Sequence, residues 1–339
     1  MKTKVIIAVC VGFAAIILGV AIGSVYVPPS SVVRVIGHNV FGLSLPEHIA
    51  PAHVAIVWNL RLPRALLAFC AGAALSVSGA VMQSTLRNPL ASSYTVGVSA
   101  GASFGASLSI FLGVTLPFMA FMTLPILGFA FGFGTIIIVM AIARQLDARL
   151  ENHTIILTGM VFSLFINAIT TLMFAFFHES VQRMVFWQMG SFSLRDWHTV
   201  YILAPIALIG IFVISRFKWA LDVMTFGEEQ AQTVGVNVRR VKLILMLTAA
   251  ALTGGTIAFV GVIGFVDLVA PHVVRKIFGA KHKYVIPMSA VVGGTFMVLA
   301  DLAARTVVSP IELPVGAVTA IIGAPFFAYI YFIKRKERA

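Results

Sequence analysis

A chain of 339 residues in which 60% are hydrophobic and only 11% charged departs from a soluble domain, where about 25% of residues carry charge. Apolar runs of about 20 residues read as membrane-spanning helices and exclude a transmembrane β-barrel, whose strands alternate over about ten residues. The net charge of +12 calls for no nucleic-acid partner, because the basic residues sit at the ends of apolar runs and line no single polar face.

The first apolar run, Val5 to Val27, follows Lys2 and Lys4 and lacks a small-residue cleavage site, so it is expected to remain as a first span. Pro28 to Leu60, rich in Pro, His and Asn, is expected to leave the bilayer. The second span, Ala65 to Gln83, is introduced by Arg61-Leu62-Pro63-Arg64 and stopped at Arg87-Asn88-Pro89-Leu90, where proline ends the helix. Thr95 to Leu112 alternates Gly and Ser from Gly97 to Ser107, a composition that lets helix backbones approach closely in lipid. Phe118 to Ile142 and Thr154 to Phe177 are the fourth and fifth spans. His178 to Asp196 is amphipathic, with Trp187 and the neighbouring Trp197 suited to a membrane interface, and Val200 to Ile214 is the sixth span.

The longest charged interruption is Arg216 to Lys242, whose cationic excess favours the cytoplasmic side. A short helix is expected within Ala220 to Val234, with Gly227, Gly235 and Asn237 as breakers that let a helix–turn–helix fold back on itself. It reads either as a solvated connection or as a docking surface for a soluble partner. Leu243 to His272 then runs without charge until Asp267, as one long span or two short ones. Gly254, Gly255, Gly261 and Gly264 favour a break. With two short spans, followed by Tyr284 to Leu302 and Val315 to Phe332, the chain has ten spans and both termini are cytoplasmic. That arrangement leaves only Arg34, Arg61, Arg64, Arg183, Arg195 and Arg305 outside, as the positive-inside rule requires.

No P-loop, HExxH, CxxC or Gly-x-Ser-x-Gly motif is present, so no catalytic residue, metal site or cofactor is expected and the chain is not read as an enzyme. Cys10 and Cys70 lie within apolar runs and read as small hydrophobes. Arg61, Arg64 and Arg305 stand on the face where cations are disfavoured: they either anchor helices to lipid or receive carboxylates of a soluble partner. Arg61 and Arg64, three apart, are expected to share a helix face. Asp301 pairs at i,i+4 spacing with Arg305, while Asp267 is a candidate functional carboxylate near the inner mouth.

Arg61-Leu62-Pro63-Arg64, Gly72-Ala73-Ala74-Leu75, Ser78-Gly79, Gln83, Arg87-Asn88-Pro89-Leu90-Ala91 and Gly97-Val98-Ser99-Ala100-Gly101-Ala102 follow one another in a familiar order. So do Gly190-Ser191, Gly227-Glu228-Glu229 with Ala231 and Gly235, Pro271-His272 with Arg275, Glu312-Leu313-Pro314-Val315-Gly316 and Gly323-Ala324-Pro325-Phe326-Phe327. Over nearly its whole length the chain resembles the FecCD-type permeases, the membrane subunits of ABC importers for ferric siderophores, haem and cobalamin. One departure is Asp267, where that family usually has glycine.

The resemblance implies an all-α polytopic permease of about ten helices with an inverted repeat, a single transmembrane domain over 1–339 with a coupling loop at 216–242. It also implies a second permease subunit (the same chain or a sister), two ATPase subunits, and a periplasmic or lipoprotein substrate-binding protein. In that frame Arg61, Arg64 and Arg305 match binding-protein docking residues. Gly227, Glu228, Glu229, Ala231 and Gly235 match the ATPase-coupling segment, and Asn88, Pro89, Leu90 and Thr158 match an inner gate. The cargo is expected to be a metal chelate, a ferric siderophore foremost, with haem or cobalamin as variants. An oxyanion such as molybdate is the alternative within the family, and an ion-gradient-driven carrier using Asp267 and Asp301 is the alternative outside it.

Overall fold

The computed structural model describes residues 1–336 apart from Ser24, Glu47, His48, Phe118, Ala148 and Leu194, with side chains described as far as Tyr329. The basic tail from Lys334 to Arg338, which counts among the inside cations of the ten-span arrangement, lies outside the described side chains. Among the described residues the chain is entirely helical. In order, the helices are α1 (Lys2–Ala21), α2 (Pro29–Phe41), α3 (Pro51–Ala55), α4 (Leu62–Thr85), α5 (Val98–Leu112), α6 (Thr123–Leu146), α7 (Asn152–Phe176) and α8 (Val181–Gln188). There follow α9 (Trp197–Arg216), α10 (Lys218–Met224), α11 (Glu228–Thr233), α12 (Val238–Val260), α13 (Val266–Phe278), α14 (His282–Thr306) and α15 (Val315–Lys336).

Among the described residues seven helical stretches are long and apolar enough to cross a membrane, and α5 and the apolar part of α15 are shorter. The protein is therefore a multi-pass membrane protein.

At the centre stands α4, whose buried residues run from Leu62 to Thr85. Its small residues decide how closely neighbours approach. A Cβ at Gly72 would lie 2.2 Å from the carbonyl oxygen of Gly293 on α14, and one at Gly79 would lie 1.9 Å from the carbonyl oxygen of Asp267 on α13. Only glycine allows the backbones of α13 and α14 to meet α4 at these points, the close packing that association in lipid relies on.

Three expectations change. Pro28 to Leu60 is not simply a polar excursion: α2 forms within it, and from Pro51 the chain runs through a π-helical turn at Ile56–Arg61 straight into α4. The wide turn and the position of Pro63 at the start of α4 leave the proline without a lost hydrogen bond to make good. In the 216–242 loop the short helix expected within Ala220 to Val234 is two, α10 and α11, separated at the expected breaker Gly227, which takes φ +142°. Nor does the loop lie wholly in water: Leu221, Met224, Ala231 and Val236 join the main core, and Lys242 is fully buried.

The expected break in Leu243 to His272 is present. Helix α12 stops at Val260, Gly261 takes φ +78°, and α13 starts after Phe265 at φ +69°. The amphipathic segment condenses to α8 after a 3-10 turn at His178–Ser180.

Candidate functional site

The 24 residues of α4 span about 36 Å at 1.5 Å per residue, so its two ends mark opposite ends of the bundle. Each end carries one group of the residues singled out in the sequence.

At the N-terminal end of α4, Arg61, Arg64 and Arg305 line one cleft of about 490 Å³ together with Arg195, Ser193 and Glu312. Arg61 and Arg64 both line this cleft but reach different partners. Arg61 is buried and donates to the carbonyls of Val20 and Ala21, 3.1 Å each, and of Val25 at 2.6 Å. It thus donates to carbonyls at the C-terminus of α1, where a cation is also favoured by the helix dipole. Arg64 turns the other way. It donates to both oxygens of Asp301 on α14 and, at 2.9 Å, to Glu312. Asp301 also pairs with Arg305 at 3.5 Å, the i,i+4 contact expected, and Arg305 reaches back to the carbonyl of Gly19.

Asp301 is thus enclosed by two guanidinium groups, while Glu312 is open to solvent and takes a further hydrogen bond from Ser193. Partial burial alone would raise the Glu312 carboxyl, but the hydrogen bonds from Arg64 and Ser193 outweigh it and hold it below its ordinary value.

At the other end, α11 stands beside an open cleft of about 900 Å³ walled by Arg87, Arg149, Asn152, His153, Phe226 and Arg239. Glu229 is exposed on it, Gly235 ends the helix at φ +87°, and Ala231 packs into the core. Glu228 points inward to Lys242, 2.6 Å away. The Lys242 ammonium, completely buried, also donates to the carbonyl of Leu150 at 3.0 Å and to Asn152 Oδ1 at 2.8 Å. One side chain of α12 therefore ties α11 to the α6–α7 connection and to the start of α7. Asn237, expected as a breaker, caps α12 by accepting from the amide of Arg240.

Next to this cleft Asn88 accepts from the amide of Leu90 and holds the 87–90 turn, with Leu90 exposed. Thr158 is buried on α7, six residues and about 9 Å from Asn152 at the cleft rim. Asp267 lies buried in the first turn of α13, and its Oδ2 has no hydrogen-bond partner among the described residues. Tyr94 donates nearby to the carbonyl of Ile263, inside the α12–α13 break.

Lys242 was legible only as one more basic residue at a loop end, since hydropathy does not reveal a buried lysine whose partners lie 14, 90 and 92 positions away. Glu312 carried only its place in the Glu-Leu-Pro-Val-Gly block as a signal.

Comparison with known proteins adds to this geometry. A family model described as the FecCD transport family matches residues 10–333. An uncharacterised ABC transporter permease protein of Bacillus subtilis, YvrB, is 41% identical over 327 residues, covering 95% of this chain and 92% of that protein. The Fe(3+)-citrate import system permease protein YfmE of the same organism is 35% identical over 322 residues, 95% of this chain and 92% of that one. A solved structure described as an inward-facing conformation of a metal-chelate type ABC transporter superposes with a TM-score of 0.85 at 29% identity, covering 98% of this chain and 99% of that chain.

Proposed function

The chain belongs to the FecCD transport family, and from that premise we propose that it is the membrane permease subunit of a binding-protein-dependent ABC importer that carries a metal chelate, a ferric siderophore foremost, into the cell. ATP is hydrolysed by separate subunits. In this reading a second permease subunit completes the pathway, two ATPase subunits dock at the α11 end, and a substrate-binding protein docks at the Arg61, Arg64 and Arg305 end. The protein resides in the bacterial cytoplasmic membrane with both termini inside. The seven long helices, the two shorter apolar ones and α13 make up its ten spans, arranged as an inverted repeat.

The observation that carries this reading is α11. It is a two-turn helix held by the Glu228–Lys242 ion pair and bearing the exposed Glu229 carboxylate, beside an open polar cleft that Phe226 also lines. Such a surface suits a soluble protein better than lipid, and the Lys242 tie would pass its displacement to α7 and α12. Glu229 is exposed and makes no hydrogen bond or ion pair among the described residues, so reversing its charge tests docking alone. Glu229→Arg is expected to leave insertion unchanged and to weaken association of the ATPase subunit at least about tenfold, the effect of about 1.4 kcal/mol. Wild-type association measured on the purified complex would remove α11 from the interface.

Sidedness is tested with single cysteines, Ser180→Cys and Lys281→Cys, in a background lacking Cys10 and Cys70. Position 180 should react with an impermeant thiol reagent in intact spheroplasts, and position 281 only after permeabilisation. Reaction of position 281 in intact cells would refute the ten-span arrangement.

A further inference from the structure

A second connection leaves the α11 end of the bundle and runs inward through side chains. Asp222 on α10 accepts through Oδ1 from the backbone amide of His282 at 2.9 Å and lies 2.7 Å from His282 Nδ1. His282, at the start of α14 and buried, places Nε2 2.7 Å from Ser84 Oγ on α4. Arg275 on α13 donates to that same Ser84 Oγ, to the carbonyl of Ala80 and to Oε1 of Gln83. Gln83, through its amide nitrogen, donates at 3.2 Å to the carbonyl of Asp267 in the first turn of α13.

The chemistry gives this chain a direction. The Asp222 carboxylate requires Nδ1 of His282 to donate, so in the neutral imidazole Nε2 must accept. Ser84 fills that need by donating a hydrogen bond from its hydroxyl, while its oxygen accepts from Arg275. Two arms therefore leave the Arg275 cation, one running through Ser84 and His282 to the Asp222 anion and the other through Gln83 to the Asp267 carbonyl, each in the head-to-tail order in which hydrogen bonds polarise and strengthen one another.

We propose that the Asp222–His282–Ser84–Arg275–Gln83 chain is a positioning relay that sets the conformation of the α12–α13 break according to the position of α10. The geometry supports this at both ends. Asp222 belongs to a short helix joined to α11 through the Gly227 turn, and it reaches the bundle through His282. At the inner end, Gln83 holds the first turn of α13 at the place where Gly79 admits the Asp267 backbone, directly after the two left-handed residues Gly261 and Phe265. A rigid α4 lies between, carrying Ser84 and Gln83 as adjacent residues. The assignment of α10 as part of an ATPase-docking segment rests on the importer reading; the relay itself does not.

The test uses the full chain in lipid nanodiscs and reads hydrogen–deuterium exchange at the amides of Leu268 and Val269, both of which donate to the carbonyl of Phe265. Asp222→Ala is expected to accelerate exchange there about fivefold, the equivalent of one hydrogen bond. Ser84→Ala is expected to do the same, the double variant to add nothing, and Ser84→Thr, which keeps the hydroxyl, to behave as the wild type. Additive effects, or exchange at the break unchanged in Asp222→Ala, would overturn the relay. In the assembled transporter, Ser84→Ala should lower uptake per ATP hydrolysed by a similar factor and Ser84→Thr should not. Coupled exchange without any ATP-driven uptake by the wild type would keep the relay and refute the importer. Wild-type uptake per ATP by Ser84→Ala together with unchanged exchange at the break would refute the relay and keep the importer.

Discussion

Truncating Glu228 to alanine is expected to destabilise the protein by about 3 kcal/mol, the low end of what removal of one partner from a buried ion pair costs. Lys242 is completely buried, so loss of the carboxylate 2.6 Å away strands an ammonium with only the Leu150 carbonyl and the Asn152 side chain for company. Those two neutral acceptors, and the partial exposure of Glu228, keep the cost from the upper end of the range. The second half of the test separates charge from shape. Lys242→Met retains most of the buried stem while removing the charge, and Glu228, already partly in water, tolerates its absence. The Glu228→Ala, Lys242→Met double variant should therefore recover to within about 1 kcal/mol of the wild type, the residue being the unpaired Leu150 carbonyl. Thermal melts of the three variants in one detergent decide the matter, and a double variant no more stable than Glu228→Ala would show that the pair does not act as a unit. A coupling experiment that removes Glu228 and Glu229 together confounds folding with docking. Glu229 alone is the clean probe.

What the sequence made legible follows from where its signals are local. Apolar runs and their basic ends marked the long helices, and the density of glycine between Gly254 and Gly264 marked the break that separates α12 from α13. Asp301 and Arg305, four apart, declared their pairing through helical spacing. The three-residue spacing of Arg61 and Arg64 said nothing of their partners: Arg61 reaches the carbonyls at the end of α1 and Arg64 reaches Asp301 on α14, contacts that only tertiary packing creates. The Lys242 tie and the Asp222–His282–Ser84 contacts join residues 14 to 198 positions apart. No periodicity carries such pairs, since they exist only once α4, α12 and α14 have packed. Buried charge in a membrane protein is thus the part of the site that composition hides. It reads as one more loop-end cation until the partners are in place.

Replacement of Asp301 by alanine is expected to cost about 3–5 kcal/mol, since it breaks two buried ion pairs at once. The carboxylate is enclosed between Arg64, 2.9 Å away, and Arg305 at 3.5 Å, and only 2% of its side chain meets solvent. Without it two guanidinium groups face each other across the cleft, Arg305 keeping the Gly19 carbonyl and Arg64 keeping Glu312. Glu312 is a different case at 43% exposure. An exposed ion pair is worth about 0–1 kcal/mol, so Glu312→Gln should leave the melting temperature nearly unchanged. That asymmetry bears on docking. Under the importer proposal, a carboxylate arriving from a binding protein would meet Arg64 with its inner side held by Asp301 and its outer side covered by the more exposed, replaceable Glu312. Exchange of Glu312 for the incoming group costs little, whereas exchange of Asp301 would open the core. Glu312→Gln, which lowers the competing charge, is therefore expected to bind the partner at least as tightly as the wild type at low salt, while Asp301→Ala loses binding along with its fold. A Glu312→Gln variant that folds normally but binds the purified partner about tenfold more weakly would show that Glu312 itself makes the contact, and that Arg64 serves to hold it.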